Sequence, residues 1–329
     1  MRNIDVSQIV YTPAEIGALS TDSRREQLEA VKRGFGLPFP LDYVAADLNP
    51  VSPGRLVTIT GRPGNGKTHF MKWWARERAA QLAKLGETNR IVVFITYEQH
   101  IEELNMFDLS AMTGVSITAM DRNECTPDEL KMLDDADVER HKLPLWSIGH
   151  SSQRRGKRPK MTVDVLEDAL HKIQDWDGEN GYLIDSVFID YLQRMPYTGE
   201  TKTVGISKNL DNIKDMALAV VAPVVLGVQA KQAVDNYPEG TQIPGISDGQ
   251  WTDNIRQTSD VNIALARPAV YCKDGDIFHK VIVDGFLQML MVIWKQKLGK
   301  ANIDHWITCD PRYNKITGAK TTTTDFKNY

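Results

Sequence analysis

Gly61-Arg62-Pro63-Gly64-Asn65-Gly66-Lys67-Thr68 follows the strand-like run Leu56 to Thr60 and fits the spacing G-x-x-x-x-G-K-[ST] at every fixed position. Glycines at these places let backbone N–H groups converge on a phosphate without Cβ obstruction, and the helix that follows offers its positive dipole end. In such a loop Lys67 reaches the outer phosphates and the Thr68 hydroxyl ligates Mg²⁺. A strand before the loop and a helix after it predict an α/β phosphate-loop NTPase, with Gly61 to Thr68 as the nucleotide-binding residues.

Working outward, strands and helices alternate. A helix is expected from Lys67 to about Leu85, a strand at Ile91 to Thr96, helical stretches to about Ala136 and a strand at Pro144 to Ile148. A helix from Val163 to Trp176 precedes the apolar run Ser186 to Asp190. Next come a helix around Leu210 to Val220 and strands at Pro223 to Val228, Val261 to Ala266, Gln288 to Trp294 and His305 to Thr308. Short apolar runs separated by helices predict a mostly parallel sheet covered on both faces, with antiparallel strands at one end.

Before this core, Thr12-Pro13-Ala14-Glu15 and Ser23-Arg24-Arg25-Glu26 each carry a capping-box pattern, so two short helices are expected in an arm over residues 1–34. The arm has too few apolar residues to fold alone and is expected to dock on its own domain or on a neighbouring subunit. Residues 35–316 form the predicted catalytic domain, and the threonine-rich stretch 317–329 a flexible tail. A formal net charge of −4 over 329 residues supplies no whole-chain attraction to nucleic acid, so any such contact must come from local patches. Cys125, Cys272 and Cys309 are far apart and lack metal-site spacing, which points to free thiols in a reducing compartment. The N-terminus has no apolar leader and no run is long enough to span a bilayer, so a cytoplasmic protein without membrane contact is expected.

In a doubly wound sheet, functional residues gather at the carboxyl ends of strands. Glu98 lies just beyond Ile91 to Thr96, placed either as a first-turn helix carboxylate or as the base that polarises an attacking water. Asp190 closes Val187-Phe188-Ile189 and suits the carboxylate that organises Mg²⁺ with Thr68. Gln229 follows Pro223 to Val228, where a polar group would sense the terminal phosphate.

These pieces also carry a resemblance. From about residue 34 to 316 the chain resembles the ATPase domain of DnaB-type replicative DNA helicases, a branch of the RecA-like fold. The matching residues are Gly61-Arg62-Pro63, Tyr97-Glu98, the run Val187-Phe188-Ile189-Asp190-Tyr191-Leu192-Gln193, Val228-Gln229, Ile255-Arg256-Gln257-Thr258-Ser259-Asp260-Val261 and Lys295-Gln296-Lys297. The resemblance implies ATP with Mg²⁺ as cofactors, a homo-oligomeric ring, expected to be a hexamer, and single-stranded DNA held in its channel. It further implies that Lys295 and Lys297 act in trans on ATP bound to the adjacent subunit. The implied DNA contacts lie in the loops after the Asp190 and Gln229 strands: Arg194, Lys202, Lys208 and Lys231, with Trp251 placed to stack on a base.

Four features depart from the family. Lys297 stands where the family has Arg, replacing a planar two-point phosphate grip with a point charge. Gln232 and Gln250 stand where Arg is usual, which thins the cations of the channel loops and weakens phosphate attraction. The run Arg154-Arg155-Gly156-Lys157-Arg158-Pro159-Lys160, five of seven residues basic, is longer than its family counterpart and reads as either a solvated loop or a partner contact. The family's N-terminal collar domain has no room in the arm, so a collar-dependent primase contact is not expected. The leading expectation is thus an ATP hydrolase that moves along single-stranded DNA as a helicase. The alternatives are a partner-loading ATPase of a phage or mobile element that does not unwind, and a RecA-like regulatory or recombination ATPase.

Overall fold

The computed structural model describes residues 12–14, 16–18, 21, 36–87, 89–154, 156, 158–176, 181–251 and 254–318. The chain divides into two compact units, Met1–Gly36 and Leu37–Tyr329, two residues beyond the boundary expected from the sequence. In the first, Pro13, Ala14, Ile16, Gly17, Ala18 and Thr21 are helical, and the Ile16 N–H donates to the Thr12 carbonyl at 2.9 Å. The second expected arm helix, from Ser23, lies outside the described residues.

The second unit runs α1 (Asp42–Ala45), β1 (Leu56–Gly61), α2 (Lys67–Lys84), β2 (Arg90–Thr96), α3 (Ile101–Thr113), α4 (Ile117–Asp121), α5 (Pro127–Arg140), β3 (Leu145–Ile148) and α6 (Val163–Gln174). It continues with β4 (Leu183–Asp190), α7 (Lys202–Ala219), β5 (Val224–Gln229), α8 (Ile255–Thr258), β6 (Val261–Ala266), β7 (Ile277–Phe278), β8 (Val281–Ile282), β9 (Gln288–Gln296), β10 (Ile303–Asp310) and β11 (Lys315–Gly318). Among the described residues, nine strands form one sheet in the order β11-β10-β9-β6-β1-β5-β4-β2-β3. Neighbours from β6 to β3 pair in parallel, while β9, β10 and β11 add antiparallel pairs at one end. This is the α/β architecture expected from the sequence, a mostly parallel sheet with antiparallel strands at one end.

The central strands are buried on both faces, so their residues are mostly apolar and their period of two shows only in what each side chain meets. Ile91, Val93, Ile95, Val187, Ile189, Val224 and Leu226 pack with Leu166 and Leu170 of α6 and Leu210 and Ile213 of α7. Val57, Ile59, Val92, Phe94, Phe188 and Val225 pack with Phe70, Met71 and Trp74 of α2 on the other side. Helix α2, which opens at the phosphate loop, is pinned by buried ion pairs as well. Lys72 Nζ meets Asp108 at 2.8 Å and Arg78 grips Asp185 through two bonds of 2.8 and 2.7 Å. A charge left unpaired at such depth would cost several kcal/mol, roughly 3–5 by removal of one partner, so these contacts fix the helix beneath the loop it carries.

Three differences from the sequence reading have physical causes. Helix α7 starts at Lys202, well before the expected Leu210, because Thr201 caps it by accepting from the Val204 N–H at 3.3 Å. Its Gly205 leaves room for the Tyr197 ring, 2.3 Å from where a Cβ would sit. The expected domain end at residue 316 falls inside β11, which pairs antiparallel with β10 as far as Gly318 opposite Ile307; the remainder of the expected tail, from residue 319, lies outside the described residues. The hairpin β7–β8 was not expected, since its strands are two residues each.

Candidate active site

Strand register brings the predicted site together. Thr96 at the end of β2 lies opposite Asp190 at the end of β4, and Gly61 at the end of β1 lies opposite Gln229 at the end of β5. A cleft of about 520 Å³ opens at these strand ends, lined by Gly64, Gly66, Lys67, Thr68, His69, Glu98, Tyr191, Gln229 and Arg267, among others. Volumes of this order accommodate a small organic ligand.

The phosphate loop takes its shape from its glycines. Gly64 and Gly66 sit at φ 78° and 80°, and a Cβ on Gly66 would come within 2.7 Å of Met289 Cε. Gly66 is also the residue from which α2 starts, so the free N–H groups of the first turn face the cleft. Asn65 is buried and uses both ends of its amide: Nδ2 donates to the Tyr271 hydroxyl at 2.9 Å and Oδ1 accepts from the Arg267 N–H at 2.6 Å. The Arg62 side chain, expected among the nucleotide-binding residues, is bonded to the loop after β5. Its Nε and Nη2 donate to Asp235 at 2.9 and 2.6 Å and its Nη1 to the Ala230 carbonyl at 3.0 Å, which takes up the guanidinium.

Lys67 donates to the Gly61 and Arg62 carbonyls at 2.8 and 3.2 Å. Burial pushes its ammonium down to about 8, against the opposing pull of Asp190 and Glu98. Thr68 Oγ1 donates to Asp190 Oδ2 at 2.7 Å. Burial raises the Asp190 carboxyl to about 6 despite the Thr68 bond and the Lys67 charge. Its second oxygen, Oδ1, is buried with no hydrogen-bond partner. A hydroxyl and a carboxylate with an unused oxygen form the hard donor set that Mg²⁺ prefers, so Thr68 and Asp190 fit that ion, which would neutralise the buried carboxylate and charge on the phosphates. Glu98 stands at the cleft's rim, 45% exposed, with Arg194 Nη2 3.7 Å from its carboxylate.

The sequence does not single out His69 and Arg267, which line the cleft, or Tyr271, which supports the phosphate loop. His69 stacks on Phe107 with centroids 4.8 Å apart, and burial lowers its imidazole to about 4, so it is neutral at physiological pH. Arg267 follows β6 and donates to the Phe286 carbonyl at 2.7 Å. Tyr271 holds Asn65. Each is a single polar residue, carrying no spacing signal of its own.

Other expected site residues lie elsewhere. Lys295 Nζ donates to the Arg256 and Ser259 carbonyls at 2.7 and 2.5 Å, closing the end of α8. Lys297 Nζ is 3.7 Å from Asp260 and 63% exposed. The Lys297 N–H bonds the Asp260 carbonyl, and Asp260 Oδ2 accepts the Leu56 N–H at 2.9 Å. The lysine pair therefore sits at the entry of β1, whereas the phosphate loop leaves its far end. Leu56 to Gly61 spans about 16 Å at ~3.3 Å per residue, too far for either lysine to serve its own cleft. In the loops after β4 and β5, Lys202 Nζ lies 5.1 Å above the Trp251 ring, Lys231 Nζ donates to the Ser247 carbonyl at 3.1 Å, and Lys208 is exposed on α7. Among the described residues no helix is long and apolar enough to cross a membrane.

Comparison with known proteins agrees with this geometry. A solved structure described as the ATPase domain of G40P aligns over 92% of this chain and 98% of its own at a TM-score of 0.74 and 17% identity. A DnaB-like replicative helicase, solved in a study of its interactions with primase, aligns over 87% of this chain and 64% of its own at a TM-score of 0.71 and 17% identity. The replicative DNA helicases DnaB of Leifsonia xyli and Mycoplasma pneumoniae are 23% and 20% identical over 76% and 83% of this chain. The chain spans about half the length of these curated relatives, 51% and 53%. The family described as DnaB-like helicase C terminal domain matches residues 36–308; with its phosphate loop, Asp190 and Gln229 aligned at the strand ends, the chain belongs to that family.

Proposed function

We propose that this chain is a ring-forming ATPase that hydrolyses ATP where two copies meet and couples each turnover to movement along single-stranded DNA, as a DnaB-type helicase. The observation that carries the reading is the separation of its parts. The cleft is lined by Lys67, Thr68, Glu98 and Gln229, with Asp190 bonded to Thr68, while Lys295 and Lys297, on and after β9, lie at the opposite end of the sheet, by the entry of β1. Another copy, in a ring expected to be hexameric, would bring such a lysine to the open side of the cleft.

Within one cleft, Lys67 and the N–H groups opening α2 bind the phosphates, Thr68 and Asp190 hold Mg²⁺, and Glu98 accepts a proton from the attacking water. Gln229, at the foot of the β5 loop, reports the occupied cleft to Lys231 and Trp251, which with Arg194, Lys202 and Lys208 contact DNA. Lys297 is the more mobile of the two trans candidates, because Lys295 is held by two carbonyls of its own chain. A cytosolic location accords with the free cysteines Cys125, Cys272 and Cys309. Strand displacement on a forked duplex tests the proposal. ATP-dependent release of the displaced strand is expected; stimulated hydrolysis without release would refute movement and favour a loading ATPase.

A further inference from the structure

The phosphate loop and the loop after β5 are joined by more than their adjacent strands. Both donors on one edge of the Arg62 guanidinium bond the two Asp235 oxygens, and the third nitrogen used bonds the Ala230 carbonyl. The Ala230 N–H returns a bond to the Gly61 carbonyl at 3.0 Å. From that point the loop closes on itself, with Lys231 N–H on Asp248 O and Gln250 N–H on Gln229 O, both at 2.7 Å, and an antiparallel bridge between Ala230 and Gly249. Gln193, from the loop after β4, completes the connection. Its Oε1 accepts the Gln229 N–H at 2.9 Å and its Nε2 donates to the Gln250 carbonyl at 3.0 Å.

A guanidinium held to a carboxylate through two parallel bonds fixes orientation as well as distance. Displacement of the phosphate loop at residue 62 must therefore carry the segment around Asp235 with it, and that segment lies between Lys231 and Trp251. The Arg62 side chain is 14% exposed and that of Asp235 38%, so the pair is sheltered from solvent screening on the Arg62 side only. We propose that Asp235 is a positioning residue that, through Arg62, transmits the state of the phosphate loop to the DNA-facing loops. The proposal rests on the DNA-dependent ATPase reading above.

The test uses the full chain and measures ATP hydrolysis with and without a single-stranded thymidine oligonucleotide, for wild type, Asp235→Ala and Asp235→Glu. Asp235→Ala is expected to keep the DNA-free rate and to lose stimulation by about fivefold or more, the lower end of ordinary site-to-site coupling. Asp235→Glu, which restores the carboxylate, is expected to recover it. If Asp235→Ala does not fold, as judged by its melting curve, Asp235→Asn keeps the shape without the charge and is held to the same criteria. Stimulation of Asp235→Ala equal to wild type would overturn the proposal, and so would a parallel fall in the DNA-free and DNA-stimulated rates, the mark of a purely structural strut. A wild type that hydrolyses ATP without any response to the oligonucleotide would instead overturn the functional reading, and this proposal with it.

Discussion

Replacing Asp190 with Asn separates what the site needs from what the fold prefers. The carboxyl is buried, one oxygen accepts from Thr68 and the other has no partner. Its shift from 3.8 to about 6 corresponds to about 3 kcal/mol of destabilisation once the group is ionised. Because this pKa is raised on folding, the folded state binds the extra proton between the two values. Stability from this group is therefore full below about pH 4 and falls as pH rises to about 6. Asn keeps the shape and can still accept from Thr68, but its amide nitrogen inherits the unpartnered position at a cost of about 1–3 kcal/mol. The nucleotide-free Asp190→Asn variant should thus be equally or up to about 2 kcal/mol more stable than wild type at pH 8, with this advantage shrinking or reversing by pH 4.5, and Mg²⁺-dependent hydrolysis should be abolished. Urea unfolding of both proteins at the two pH values measures the difference directly. A variant that loses stability relative to wild type on going from pH 4.5 to pH 8 would refute the reasoning.

Glu98→Gln should retain ATP affinity within a few-fold while hydrolysis falls by about 10² or more; equal turnover, measured as phosphate release, would remove Glu98 from the mechanism. Lys295→Ala should lower the unfolding free energy by roughly 1–3 kcal/mol through its two lost carbonyl bonds. Lys297→Ala should leave thermal unfolding unchanged yet slow hydrolysis, and Lys297→Arg should raise the rate above wild type, since a planar two-point donor suits phosphate better. Trp251→Ala should weaken binding to a fluorescent single-stranded oligonucleotide by about 1–3 kcal/mol, the usual worth of one stacked base, with little change in the salt slope that phosphate contacts control.

The sequence made the chemistry of the strand ends legible because it lies in local pattern. An apolar run closed by Asp190 and a glycine loop ending in Lys67-Thr68 each announce themselves, and alternation of strand and helix then places them together. What stayed hidden is what depends on direction and distance. Arg62 sits inside the motif yet its side chain leaves the cleft for Asp235, a partner 173 positions away with no pattern linking the two. Lys295 and Lys297 read as one unit, but the register of β6 and β9 parts them: Lys295 caps α8 while Lys297 faces solvent. Arg267 and His69 became site residues only through the packing of β6 and α2. The start of helix α7 is hidden because Lys202 to Lys208 has weak apolar periodicity and an internal glycine, both overridden by the Thr201 cap and the close seat of Tyr197 against Gly205.

The claim on which the account turns is that the cleft is completed by a second copy, because the chain's own Lys295 and Lys297 lie at the wrong end of its strands. ATP hydrolysis per subunit, followed as the protein is diluted through the range where rings come apart, tests it most directly. The account predicts that the wild-type rate per subunit collapses with dilution, and that mixing Glu98→Gln and Lys297→Ala subunits at high concentration gives a rate above that of either variant alone. A rate per subunit that stays constant down to isolated monomers would contradict it.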